Sequence, residues 1–193
     1  MIKFFLDGDK MNSVYIVNVT PLLNKEVYNY YYRRVGKLRQ IKADRLLSDI
    51  DKAKSVGVGA VLRFAVEDST SFNFDELELK FTDKGKPFFE GNPFYISLSH
   101  SGDYAVCAIS DTPIGVDIEK NNELPEKIQK RFAKDTLEWT KKEAKGKLTG
   151  NGFFDQTEDN FVYTHHNIDS YTITVCSDKP CDKFNIYHLP FPC

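Results

Sequence analysis

The chain has 193 residues, 41% of them hydrophobic and 13% aromatic, enough for one substantial core or two smaller fused ones. Its formal net charge of −2 argues against a nucleic-acid coat or a polybasic membrane anchor, so an anionic ligand has to be met by a local cluster of cations. No apolar run approaches the roughly 20 residues that span a bilayer; the opening MIKFFLDGDK also lacks the apolar stretch and cleavage site of a signal peptide, so a cytoplasmic protein without nucleic-acid or membrane partners is expected.

In chain order, SVYIVNV is rich in β-branched residues and reads as a strand ended by Pro21. LLNKEVYNYYYRRV and KLRQIKADRLLSDIDKAKSVGVGAVLRFAVED carry apolar residues at three- and four-residue spacing and are predicted helical, the second with an interruption. Gly57 and Gly59 each weaken a helix interior by about 1 kcal/mol relative to Ala, so a helix that continues through them needs close packing as its reason. LELKFT alternates as a strand, DKGKPFFEGNP supplies turn residues, and FYISLS is a further strand that closes a first half near residue 103. The second half opens with strand YAVCAIS, turns at DTP, continues as strand IGVDIE and breaks at KNNELP. Helices PEKIQKRFAK and TLEWTKKEAKGKLTG follow, then strands NFVYTHH, SYTITVC and KFNIYHL. Both halves mix strands and helices, so the expected class is α+β in two lobes, residues 1–103 and 104–193.

Side chains two residues apart on a strand share a face, so Asp117 and Glu119 project together while Val116 and Ile118 point the other way. Two carboxylates that close repel unless a cation lies between them, and hard oxygen ligands favour Mg²⁺ or Mn²⁺. The pair also fits a strand end that surfaces with two solvated carboxylates. In WTKKEAKGK, Glu143 and Lys147 follow Lys142 at i and i+4 of a predicted helix, a spacing that a surface pair worth about 0.2 to 0.5 kcal/mol explains on its own. SHSG places Ser99, His100 and Ser101 after a buried strand, where hydroxyl, imidazole and backbone N–H groups can bind a phosphate.

Arg33, Arg34, Lys37, Arg39 and Lys42, with Lys52, Lys54 and Lys86 further on, form a basic set, most of which fits a solvated helix face. His165 and His166 point to opposite faces of a strand and cannot both serve one metal from it. Cys107, Cys176, Cys181 and Cys193 form no C-x-x-C pair, and the first two sit in apolar strands as small buried hydrophobes.

Taken together and in this order, GKPFF, ISLSHSGDYAV, IGVDIEK and WTKKEAKGKLTGNGF resemble the 4′-phosphopantetheinyl transferase superfamily, from about Leu38 to Cys176. The length and the two halves are similar to its surfactin-type branch, whose members resemble two small lobes fused into a pseudo-dimer. The resemblance implies an α+β fold of two similar lobes with coenzyme A between them. It implies transfer of the phosphopantetheine arm of coenzyme A to a serine of an acyl or peptidyl carrier protein, with release of 3′,5′-ADP. Mg²⁺, or Mn²⁺, would be held by Asp117, Glu119 and Glu143. Lys147 would stabilise the leaving pyrophosphate oxygen, and Glu143 or a metal-bound water would take the proton of the serine hydroxyl. The implied coenzyme A contacts are Lys86 by the nucleotide, Ser99 and His100 by the ribose 3′-phosphate, and Lys142 and Lys147 by the other phosphates. Arg39, Lys42 and Lys54 match basic positions of the N-terminal helices more loosely. A monomer is expected.

Between IGVDIE and WTKKEA the family carries a longer segment, used to embrace the carrier, where this chain has only KNNELPEKIQKRFAKDTLE. The shortening keeps a second expectation in play, a coenzyme A or nucleotide-binding protein without transferase activity. A metal-dependent phosphohydrolase has only the carboxylates in its favour. Asp117→Ala is expected to remove metal-dependent activity and to leave the fold intact.

Overall fold

A computed structural model of the chain describes residues 12–121, 124, 126–153, 155–158, 160–181, 183–187 and 189. The MIKFFLDGDK start, Cys193, and Asn122, Glu123 and Pro125 of the KNNELP break lie outside them.

β1 (Asn12–Asn18) alternates its apolar side chains between two cores, with Tyr15 and Val17 on one side and Val14 and Ile16 on the other. It pairs antiparallel with β5 (Tyr104–Ser110) and parallel with β9 (Lys183–Tyr187). With β4 (Tyr95–Ser101) these strands form a first sheet in the order β4-β5-β1-β9. Its outer face is covered by α1 (Lys25–Tyr32), α2 (Lys37–Asp44) and α3 (Asp49–Ser69). A small hairpin, β2 (Leu79–Phe81) with β3 (Pro87–Phe89), forms its own ladder and packs Phe89 into the core of the first sheet.

The second sheet is antiparallel, with β8 (Tyr171–Ser177) between β6 (Ile114–Lys120) and β7 (Val162–Ile168). Val116, Ile118, Ile173 and Val175 pack against Val14, Ile16 and Val106 of the first sheet, so the two sheets share a core. After α4 (Glu126–Arg131), α5 (Thr136–Thr149) closes the far face through Ala144 and Leu148 over Cys176. Helices, sheet, sheet and helix thus follow one another in layers, an α+β arrangement. Among the described residues no helix is long and apolar enough to cross a membrane.

The long helical run is interrupted where a cap, not a glycine, stops it. Ser48 accepts the Asp51 N–H, and Asp49 and Asp51 occupy the positive first turn of α3. α3 then runs straight through Gly57 and Gly59, because a methyl at Gly57 would lie 2.3 Å from Val19 Cγ1 and one at Gly59 2.5 Å from Val35 Cγ1. Close packing is the reason for both glycines.

The division expected at residues 103 and 104 does not follow the sheets. It falls inside the two-residue turn of a hairpin, since Ser101 pairs with Tyr104, and β5 and β9 both belong to the first sheet.

Candidate active site

The alternation S-L-S-H-S along β4 builds two ends of one cleft. Ser97, Ser99 and Ser101 face β6 in step: Ser97 Oγ accepts the Val116 N–H at 2.9 Å, Ser99 Oγ donates to Asp117 Oδ1 at 2.7 Å, and Ser101 Oγ donates to Glu119 Oε2 at 2.7 Å. His100 has the opposite parity, the side on which Ile96 and Leu98 meet the helical layer. Ser99 is therefore placed with the carboxylates, and only His100 turns toward the basic helices.

Asp117 and Glu119 share the α5 face of β6, and Val116 and Ile118 lie in the core between the sheets, as the alternation requires. They are not a solvated strand end, because Asp117 is 3% exposed and Glu119 half-buried. α5 can come this close because β6 offers Gly115, where a methyl would lie 1.9 Å from the Ala144 carbonyl oxygen and 2.7 Å from Leu148 N. A hydroxyl pair 2.7 Å apart, Thr140 Oγ1 and Thr174 Oγ1, fixes the helix over the sheet, and His165 Nδ1 lies 3.0 Å from the same Thr174 oxygen. Thr140, Glu143 and Lys147 then stand at i, i+3 and i+7 on the helix face toward β6.

Lys147 Nζ donates to Asp117 Oδ1 at 2.6 Å and to Ser99 Oγ at 2.8 Å. The other Asp117 oxygen, Oδ2, is buried and has no hydrogen-bond partner among the described residues. Burial, followed by the charge of Asp117, raises the Glu143 carboxyl above the usual glutamate range, and Lys147 only partly offsets it. Burial also raises Glu119, against which Ser101, Lys147 and the Trp139 side chain act to favour the carboxylate.

Among the described residues no three His, Cys, Asp or Glu side chains are gathered tightly enough to hold a metal as they stand. The donor set nevertheless fits a hard divalent cation: it is all carboxylate oxygen, and its most buried member keeps one oxygen unpartnered.

The other end is cationic. Arg39, on α2, is 8% exposed, and burial lowers its guanidinium to about 10. Gly59 makes room for it, since a methyl there would lie 2.9 Å from Arg39 Cγ. Partial desolvation of an otherwise exposed side chain and the charge of Arg39 lower Lys42. His100 is exposed at its surface but feels Lys42, Lys54, Lys147 and Arg39 at once, and partial desolvation together with these charges holds its imidazole below the usual range. Lys54 has an ion pair with Asp51 at 3.6 Å, whereas Arg39 and Lys42 have no carboxylate partner among the described residues.

A cavity of about 190 Å³ beside α5 is lined by Lys86, Ile96, Ser97, Glu143, Gly146 and Lys147. Lys86 Nζ donates to the Leu148 carbonyl, and burial lowers its ammonium. Lys142 is turned elsewhere, to Glu138 Oε1 at 2.8 Å and to the Phe132 carbonyl. Arg33, Arg34 and Lys37 border a different cavity of about 550 Å³ over Phe74 and Leu77, which Arg39 also reaches. His166 stacks on Phe184, with ring centroids 4.6 Å apart, on the face opposite His165. Cys107, Cys176 and Cys181 are buried.

Fold and cleft together define an α+β protein with a site suited to a phosphorylated ligand, carboxylates with a lysine at one end and a cluster of cations at the other, of which Arg39 and Lys42 have no carboxylate partner among the described residues. No family model matches the chain. It is 27% identical over 122 residues to the 4′-phosphopantetheinyl transferase gsp of Aneurinibacillus migulanus, covering 63% of this chain and 51% of that protein. To 4′-phosphopantetheinyl transferase psf-1 of Bacillus pumilus it is 29% identical over 133 residues, 59% of this chain and 57% of the relative. To 4′-phosphopantetheinyl transferase Sfp of Bacillus subtilis strain 168 it is 34% identical over 123 residues, 62% and 54% respectively. The chain is similar to these 4′-phosphopantetheinyl transferases and spans a little over half the length of the curated relatives it matches.

Proposed function

We propose that the chain is a Mg²⁺-dependent 4′-phosphopantetheinyl transferase, a cytoplasmic monomer that moves the arm of coenzyme A to a serine of an acyl or peptidyl carrier protein. The two sheets, each with its own helical cover, are read as two similar fused lobes, with coenzyme A in the cleft between them. The observation that carries this reading is the pairing of two charge clusters across β4: Asp117, Glu119 and Glu143 around Lys147, and Arg39, Lys42 and Lys54 around His100. Such a cleft matches a ligand with a terminal monophosphate at one end and a pyrophosphate at the other.

Asp117, Glu119 and Glu143 would hold Mg²⁺ or Mn²⁺, which supplies neutralisation of charge growing on the phosphate oxygens. Arg39, Lys42, Lys54 and His100 receive the ribose 3′-phosphate, and Lys86 lies by the nucleotide. The serine oxygen of the carrier attacks the phosphorus next to the pantetheine arm as the bond from that phosphorus to the 3′,5′-ADP oxygen breaks. Glu143 or a metal-bound water would take the hydroxyl proton, and Lys147 would stabilise the charge left on the departing phosphate.

Incubation with coenzyme A, Mg²⁺ and an apo carrier protein should raise the carrier mass by one phosphopantetheine and release 3′,5′-ADP. No gain across fatty-acid-type and peptide-synthetase-type carriers would overturn the reading. Mg²⁺-dependent coenzyme A binding without transfer would identify a binding protein instead.

A further inference from the structure

We propose that Lys147 is an internal counter-ion that exchanges for a divalent cation at Asp117, so that metal binding and pyrophosphate binding are coupled through this one side chain. The proposal rests on the metal and coenzyme A reading above.

Lys147 Nζ, Asp117 Oδ1 and Ser99 Oγ form a closed triangle with sides of 2.6, 2.7 and 2.8 Å. Within it the Asp117 side chain is 4% exposed and that of Lys147 29% exposed, so the lysine enters from the open side. An ammonium on a flexible four-carbon stem can swing away without disturbing the helix that carries it. Lys147 also lines the cavity beside Glu143, which gives it somewhere to go.

An ammonium and a divalent cation within a few ångströms of one carboxylate repel each other strongly, so occupancy of Asp117 by one excludes the other. When the lysine leaves, Ser99 still donates to Oδ1, and the buried Oδ2 has no partner among the described residues to give up. Asp117 is thus kept in place for an incoming cation by a neutral hydroxyl. Glu119 and Glu143 add two further carboxylates, which among the described residues face Lys147 as their opposite charge, and a divalent cation offsets them better than one ammonium. A pyrophosphate entering the cavity offers the displaced ammonium a new anionic partner. Each ligand then favours the other, and linkage makes the effect reciprocal.

The test counts bound Mn²⁺ by loss of its free-ion paramagnetic resonance signal, with and without coenzyme A, in wild type, Lys147→Met and Lys147→Arg. Wild type should bind Mn²⁺ weakly alone and about tenfold or more tightly with coenzyme A. Lys147→Met should bind Mn²⁺ alone about tenfold more tightly than wild type and gain less from coenzyme A. Lys147→Arg, which keeps the charge, should behave like wild type. Thermal melts report folding directly, and Mn²⁺ should raise the melting temperature of Lys147→Met more than that of wild type. If Lys147→Met binds Mn²⁺ no better than wild type, while wild type still binds it with coenzyme A, the exchange is wrong and the metal site stands. If wild type binds no Mn²⁺ under either condition, both are wrong.

Discussion

At the acidic end of the cleft the fold supplies partners of its own, Ser99 and Lys147 for Asp117 and Ser101 for Glu119. At the basic end Arg39 is almost fully buried and, like Lys42, has no carboxylate partner among the described residues. A buried, uncompensated guanidinium costs stability. Asp117 and Glu119 are thus held by the protein, while Arg39 and Lys42 keep charge that no carboxylate among the described residues offsets. Removing the charge of Asp117 and removing that of Arg39 should therefore have opposite effects on stability.

The largest effect is expected from separating α5 from β6. Gly115→Ala places a methyl 1.9 Å from the Ala144 carbonyl oxygen, backbone that cannot rotate away. A loss of about 3 kcal/mol or more in denaturant unfolding is expected, together with loss of transfer as Glu143 and Lys147 shift. Next comes Asp117. Asp117→Asn should keep the fold and lower transfer on the order of 100-fold or more. Asp117→Ala strips the buried partner from Lys147, so the burial of Asp117 changes the sequence-based expectation of an unaffected fold; about 1 to 2 kcal/mol should be lost, less than for a fully buried pair because the lysine is partly exposed. At the other end, Arg39→Met keeps the stem that packs on Gly59 and removes the charge. It should raise stability by about 0.5 to 1 kcal/mol while weakening coenzyme A binding, the reverse of the pattern at Asp117.

The smallest effect is a pH dependence of the metal-free protein. Glu119 and Glu143 have folded-state values above the ordinary 4.5. A group raised on folding contributes stability that is fully present below the ordinary value and lost as pH rises through the folded one. Unfolding free energy should thus decline from the ordinary glutamate value upward, and Glu143→Gln should flatten that decline. An unchanged slope in Glu143→Gln would place the repulsion elsewhere.

Much of the acidic end was legible in the sequence, because the two-residue period of a strand alone puts Asp117 and Glu119 on one face. The same rule separates Ser99 from His100, and the run S-L-S-H-S carried the signal for Ser101 as a support of Glu119. Lys142 was less legible: its neighbours in sequence are those of the site, but its partners are Glu138 and the Phe132 carbonyl. The burial of Arg39 depends on its approach to Gly59 across two helices, a tertiary fact that periodicity does not encode. Nor does periodicity encode the parallel pairing of β9 with β1, which joins the first and last described strands across a division drawn at residue 103.

The central claim is that the two ends of the cleft read the two phosphate groups of one molecule, and calorimetric titration with coenzyme A and with 3′-dephospho-coenzyme A in Mg²⁺ tests it most directly. Wild type should prefer coenzyme A by about tenfold or more, and Arg39→Met should lose most of that preference. Equal binding of the two compounds by wild type, or a preference that survives in Arg39→Met, would contradict it.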